Sequence, residues 1–474
     1  MTYEPVIGLE VHLQLKTKTK VFCGCSTDFG APPNTQTCPV CLGFPGSLPV
    51  LNRQALRLSA KVAIALNCRI AKKVRFDRKN YFYPDLPKAY QISQFNQPLS
   101  QHGYLPVPAG GKEKRVKIRR VHLEEDTGKL FHQEDFSLID FNRSGTPLLE
   151  IVTEPDIGSP EEAYSYLTAL KSILEYIDVS DCNMEEGSLR CDANISIRRA
   201  GSKELGVKVE VKNMNSFKAV KIALEYERKR HMALIEDGQD VVQETRLYDS
   251  VKNITKSMRS KEETHDYRYF PEPDLSPFDF EASFLEGIKT EIPELPGPKK
   301  ERFVADYDLS EYDSACLVSD KNMADYFEKA VSLYKKPKEI ANWLMGDISA
   351  YIKEGDLTIK GLGLKVEHLT GMLKIIDRGV ISGKIAKTLL VEMIQTGKDP
   401  DLLVRQKGLE QISDEGELVK RIEEVLAENA KIVNDFKSGK ENAIMALVGK
   451  VMAKTKGKAH PKKLNEILRK KLAT

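Results

Sequence analysis

At 474 residues, 41% hydrophobic and 30% charged, the chain is too long for one core and too apolar to be disordered, and its length suggests about three domains. It holds no run of about 18 apolar residues and no charged-then-apolar leader before Val6, so neither a membrane span nor a signal peptide is expected and the cytoplasm is the default location. A net charge of +3 does not by itself mark a nucleic-acid binder.

The first element is a strand over residues 6–15, VIGLEVHLQL. With a two-residue period, Ile7, Leu9, Val11, Leu13 and Leu15 face one way, and Gly8, Glu10, His12 and Gln14 the other. Taken alone, the polar side is equally a solvated strand face. Next come CGC and CPVC, with Cys23, Cys25, Cys38 and Cys41, while Cys68, Cys182, Cys191 and Cys316 are scattered. Two short-spaced pairs a dozen residues apart predict a four-thiolate zinc knuckle over residues 23–41; free thiols or a redox pair are the alternatives. Four protein ligands leave no position for water, so the ion would be structural.

Residues 52–67 carry the helical spacing Ala55, Leu58, Val62 and Leu66. The following FDRKNYFYPDLPKAYQISQ mixes Asp77, Arg78, Lys79 and Lys88 with Tyr81, Phe82, Tyr83 and Tyr90, and its two prolines forbid regular structure across it. Such a loop can offer cations and ring faces to a nucleotide or an RNA end, although a structural aromatic loop has the same composition. In residues 115–125 the apolar parity changes between Ile118 and Val121, which predicts a bulge. Glu124, Glu125 and Asp126 follow, and the opposed parity of Glu124 and Glu125 leaves only one of the two pointing inward. A turn at Ser144 and Gly145 leads into a strand over 148–154, where a charged Glu150 among Leu148, Leu149, Ile151 and Val152 needs a metal or a cation.

RCDANISIR and VKVEVKN read as an antiparallel pair whose polar faces hold Asp192, Asn194, Glu210 and Lys212. Helices are predicted over 160–176 and 216–236. Pro293, Pro296 and Pro298 mark a boundary, after which helical periodicity takes over with Ala341, Trp343, Leu344 and Ile348; a second break falls near Pro400. The expected fold is therefore α+β: an antiparallel-sheet domain over 1–292, an all-α helical domain over 293–400 and a small helical tail domain over 401–474. The tail ends in a basic run of Lys450, Lys454, Lys456, Lys458, Lys462, Lys463, Arg469, Lys470 and Lys471, opposed after Glu441 only by Glu466. A solvated face is the ordinary reading of such a run, and nucleic-acid contact the functional one.

The sheet collects Glu10, His12, Glu124, Glu125, Glu150, Asp192 and Glu210. Carboxylates in such numbers repel unless cations neutralise them, and mostly oxygen ligands favour Mg²⁺, with manganese conceivable through His12. GxxxxGK[ST], GxGxxG and GxSxG are all absent, which argues against a P-loop, a Rossmann site and a hydrolase elbow.

VIGLEVHLQL, FDRKNYFYPDLPKAYQISQ, HLEEDTGK, DFNRSGTPLLEIVTEPD, MEEGSLRCDANIS, VEVKNMNSF and DYRYFPEPDL closely resemble the B-subunit family of bacterial aminoacyl-tRNA amidotransferases. The resemblance runs from Val6 into the basic tail. It implies a cradle-shaped catalytic domain, a helical domain and a tail that contacts tRNA. It also implies an activity: the side-chain carboxylate of misacylated Glu-tRNA(Gln) or Asp-tRNA(Asn) is phosphorylated with ATP, and ammonia then displaces the phosphate to give Gln-tRNA or Asn-tRNA. An amidase A subunit would supply the ammonia through a channel, with a small C subunit completing a heterotrimer. On this resemblance, Glu10, His12, Glu125 and Glu150 are the catalytic candidates and, with Glu124, Asp192 and Glu210, the Mg²⁺ candidates. Lys79, Tyr81 and Tyr83 are candidates for ATP or the 3′ end of the tRNA, and the knuckle is a support feature. The rival readings are a tRNA-binding scaffold without chemistry and an archaeal-type relative, for whose inserted domain there is no spare length.

Overall fold

The protein is described by a computed structural model over residues 3–260, 267–355, 357–409, 415–438, 440, 442–455, 459 and 461–473. Glu441, Lys456 and Lys458 of the basic segment lie outside the described residues. The chain divides into two compact units, Met1–Pro296 and Gly297–Thr474.

The first unit is built on a nine-stranded sheet. Its strands in chain order are β1 (Tyr3–Gln14), β2 (Arg69–Ile70), β3 (Ser100–Ala109), β4 (Lys112–Glu125), β5 (Pro147–Thr153), β6 (Leu189–Arg199), β7 (Val209–Lys212), β8 (Glu244–Asp249) and β9 (Ile254–Ser260). Across the sheet they run β9-β8-β7-β6-β1-β5-β4-β3-β2, so the strand read first in the sequence lies in the middle. Ile7, Val11 and Leu13 of β1 are fully buried, as are Leu149, Ile151, Val121, Leu123, Ala193, Ile195, Val209 and Val211 on its neighbours. This apolar side is fixed by the two-residue period, because a one-residue slip would turn every one of these side chains to the opposite face.

Three helices cover it. They are α1 (Arg53–Ala65), capped by the Asn52 side chain; α2 (Pro160–Tyr176), capped by Ser159 with Pro160 in its first turn; and α3 (Phe217–Glu236), capped by Ser216. Leu58, Val62, Tyr166, Leu170, Leu174, Val220 and Leu224 from these helices join the strand residues in one cluster. With the helices on the apolar side, the polar side of the sheet is left available for chemistry.

Two departures from simple alternation are structural. Val152 pairs with Arg120 but Thr153 with Ile118, so Arg119 is the extra residue of a bulge where the parity changes. Every pairing in the sheet is antiparallel except β7 with β8, which is parallel and is bridged by α3 as the required crossover. Residues 76–94 are more regular than their prolines predict. Asp77–Asn80 and Tyr90–Ser93 pair antiparallel, Phe270–Pro271 adds a third strand, and Pro84 and Pro87 fall in the connection.

In the second unit the described helices gather on two apolar clusters. One includes Phe303, Phe327, Ile340, Leu369 and Leu389; there the helix Pro337–Trp343 passes through a π-turn, Leu344–Ile348, into Ser349–Glu354. The other joins the helices Glu415–Glu428, Ala430–Lys437, Ala443–Lys454 and Pro461–Ala473 around Leu418, Ile422, Leu447, Leu464 and Leu468. Among the described residues no helix is long and apolar enough to cross a membrane.

A candidate metal centre on the polar face of the sheet

Strand register builds the site row by row. Across β4, β5, β1 and β6 one row reads His122, Glu150, His12 and Arg190; the next reads Arg120, Val152, Glu10 and Asp192. Two residues further along β6, Asn194 stands opposite Glu210 of β7. Side chains thus converge from strands far apart in sequence because they occupy one parity and adjacent rows.

Of the seven residues proposed for magnesium, His12, Glu124 and Glu150 come together, each offering a donor atom within 4.8 Å of the others. His12 Nε2 lies 3.8 Å from Glu150 Oε2. Glu124 accepts a 2.9 Å hydrogen bond from Ser93 Oγ. Glu10, Asp192 and Glu210 form an adjoining group. Glu10 accepts from Asn194 Nδ2 at 3.0 Å, Glu210 from Thr245 Oγ1 at 2.9 Å, and Lys212 Nζ stands 2.8 Å from Asp192 and 3.2 Å from Glu210. Burial, followed by the Glu150 and Glu210 carboxylates, raises the pKa of Glu10. A cation arriving here would relieve that repulsion.

Glu125 does not join either group. Its carboxylate is bound by Lys88 and by the Ile92 backbone N–H, and it lines a cavity with Lys20, Cys41, Tyr90 and Gly145. The opposed parity of two successive strand residues accounts for the separation.

Lys79 stands at the site with its ammonium 5.1 Å from the Tyr267 ring and 5.9 Å from that of Tyr81. Burial works against its charge, but Glu124, Tyr269 and Glu150 together more than offset this and raise its pKa. Tyr83 is 51% exposed on the connection beyond it.

His122 escaped the sequence reading. It is 2% exposed, and its Nε2 lies 3.2 Å from Glu150 and 3.6 Å from Glu124. Burial disfavours the imidazolium, yet the two carboxylates prevail and raise its pKa, while burial of Glu150 is likewise overcome, chiefly by His122, and its pKa falls well below the usual range. The signal was available, since His122 precedes Glu124 by two residues in HLEE and so shares its face of the strand.

The four knuckle thiols also converge, with one Sγ from each of Cys23, Cys25, Cys38 and Cys41 within 4.8 Å of the rest and Cys38 to Cys41 at 3.9 Å. A tetrahedral Zn–S bond of ~2.3 Å sets sulfurs ~3.8 Å apart, so the donor set fits zinc. The Cys38 backbone N–H donates to Cys41 Sγ at 3.2 Å, the kind of contact that stabilises a bound thiolate.

Residues 5–286 match the GatB/GatE catalytic domain family, and residues 325–472 match the GatB domain family. A protein of Thermoanaerobacter sp. (strain X514), named as the B subunit of an aspartyl/glutamyl-tRNA(Asn/Gln) amidotransferase, is 54% identical over 474 residues, covering 100% of both chains. Relatives of the same name from Brachyspira hyodysenteriae and Brevibacillus brevis are each 52% identical, covering 100% and 98% of both chains respectively. With these matches across its length, the chain belongs to the family of aspartyl/glutamyl-tRNA(Asn/Gln) amidotransferase B subunits.

Proposed function

We propose that the chain is the subunit that phosphorylates the side-chain carboxylate of misacylated Glu-tRNA(Gln) or Asp-tRNA(Asn) and carries out its amidation, in the cytoplasm and in a heterotrimer with an amidase A subunit and a small C subunit. The observation that carries this reading is the His12, Glu124 and Glu150 trio beside Lys79. Two carboxylates and one imidazole suit Mg²⁺ or Mn²⁺, and His12, Glu124 and Glu150 would hold the ion. When bound, it would neutralise phosphate oxygens and keep the γ-phosphoryl group in line. Glu10, Asp192 and Glu210 extend the acidic wall toward a second cation or the substrate's α-ammonium group.

No protein nucleophile is needed. An oxygen of the substrate carboxylate attacks the γ-phosphorus of ATP, and the bond to the ADP oxygen breaks. Ammonia then attacks the acyl carbon, phosphate leaves, and a proton is lost to give the amide. Lys79 holds positive charge where the transferring phosphate develops negative charge. An acyl phosphate hydrolyses readily in water, so ammonia delivered along an enclosed path from the A subunit would favour amidation. Glu125 and Lys88, away from the trio, take no part in phosphoryl transfer on this reading.

The test mixes the chain with its A and C partners, glutamine, Mg²⁺ and Glu-tRNA(Gln), following ATP cleavage and Gln-tRNA together. Coupled turnover that needs this chain is expected, and Glu150→Gln should abolish it while leaving tRNA affinity nearly intact. Retained tRNA binding with no ATP cleavage in the wild type would favour the scaffold reading instead.

A further inference from the structure

We infer that the buried Lys20 ammonium is the counter-ion of the zinc-loaded knuckle, so that its charge and the bound metal stabilise each other; this rests on the four-thiolate zinc reading above.

Lys20 is fully buried, and its ammonium has two hydrogen-bond acceptors among the described residues, the Phe141 carbonyl oxygen at 3.3 Å and Cys41 Sγ at 3.6 Å. No carboxylate among those residues pairs with it. Glu125, which lines the same cavity, is held instead by Lys88 and by the Ile92 backbone N–H. A buried ammonium costs stability unless an anion stands beside it, and a packing role alone would be met by an apolar side chain of similar length.

The knuckle supplies that anion. Four thiolates carry twice the charge of one Zn²⁺ with the opposite sign, so the loaded site is negative overall. Cys41 Sγ already receives the Cys38 backbone N–H, and Lys20 adds a charged donor to the same sulfur. The backbone around Lys20 is anchored on three sides. Its N–H donates to the Cys25 carbonyl at 3.0 Å, and its carbonyl accepts from Asn52 Nδ2 at 3.2 Å. The Val21 N–H donates to the Gly145 carbonyl at 2.9 Å. The ammonium is therefore fixed between the knuckle and the turn over 141–145. Each charge is unfavourable alone, and together they compensate.

Zinc affinity of the full-length chain is measured by competition with a chromophoric chelator, for the wild type and for Lys20→Met. The variant should bind zinc about tenfold more weakly. Loading with Co²⁺ gives a second readout: with a donor to Cys41 lost, the thiolate-to-cobalt absorption should move to longer wavelength, which a packing defect would not cause. In a chain carrying Cys38→Ser and Cys41→Ser, Lys20→Met should lower the melting temperature less than it does in the zinc-loaded wild type. A Lys20→Met chain that folds only in that serine background would support the inference as well. Equal losses of melting temperature in both backgrounds, with zinc affinity and the cobalt spectrum unchanged, would overturn it and leave Lys20 a packing residue. A folded wild-type chain that takes up no zinc would overturn the zinc reading, and the inference with it.

Discussion

His122 links two acidic side chains through one buried ring, and its removal would leave Glu124 and Glu150 facing each other with less compensation. Breaking a buried charged contact typically costs ~3–5 kcal/mol, so His122→Leu should lower the denaturant midpoint markedly. Millimolar Mg²⁺ should restore part of the loss if the carboxylates bind it; an unchanged midpoint would show that the ring is not a counter-charge. Glu227, buried on α3, gives a separate pH prediction. Burial opposes its charge, but contacts with His231, Arg230 and Thr255 bring its pKa from 4.5 to about 2. A lowered carboxylate pKa stabilises the fold above the ordinary value, and that contribution disappears as pH falls from about 4.5 toward 2. At ~1.4 kcal/mol per unit this is about 3 kcal/mol. Acid unfolding of Glu227→Gln should begin from a lower stability and be flatter over that interval; an acid limb parallel to the wild type would remove Glu227 from its cause. At this scale parity made Glu10, His12 and Glu150 legible in the sequence, but not the division of seven acidic or imidazole candidates into two groups and an outlier. That division depends on register between strands up to about 200 residues apart, which no local pattern encodes.

The helices were the most legible elements because their ends carry their own chemistry. Ser159 and Ser216 each accept a hydrogen bond from a first-turn N–H, and Pro160 fits a position where no donor is needed. Ser216→Ala should cost ~1 kcal/mol in thermal or denaturant unfolding, and no change would mean the end of α3 is held by packing alone. The strands at Asp77–Asn80 and Tyr90–Ser93 were not legible, since the segment completing their sheet, Phe270–Pro271, lies far along the chain. The parallel pairing of β7 with β8 was hidden for a related reason: alternation marks a strand but says nothing about its direction. For the knuckle, replacing Cys38 and Cys41 with serine should remove about one zinc per chain by elemental analysis and lower the melting temperature. Amidation should fall only as far as the folded fraction does; a complete loss in a fully folded variant would move the knuckle into the chemistry.

Over the whole molecule the change from sheet to helix was readable from the proline cluster and the change of periodicity, whereas nothing in the sequence decides between a solvated face and a nucleic-acid contact for the basic end. Part of that charge is already engaged: Lys454 pairs with Glu424 and Glu428, and Lys471 with Glu423. Removing everything after Pro400 should therefore weaken tRNA binding and reduce its salt slope, but by fewer phosphate contacts than the count of lysines implies. An unchanged slope would leave the run as a solvated face. The central place of β1 has a further consequence, for the order in which the protein is made. About 130 residues separate Gln14 from Pro147 and about 175 separate it from Leu189, so both neighbours of β1 emerge late in translation. At ~5–20 residues per second, an apolar strand waits ~10–35 s on the ribosome without its native partners. During that interval its exposed edges are open to other nascent chains, and a chaperone that shields them would raise the yield of the protein without altering its final stability.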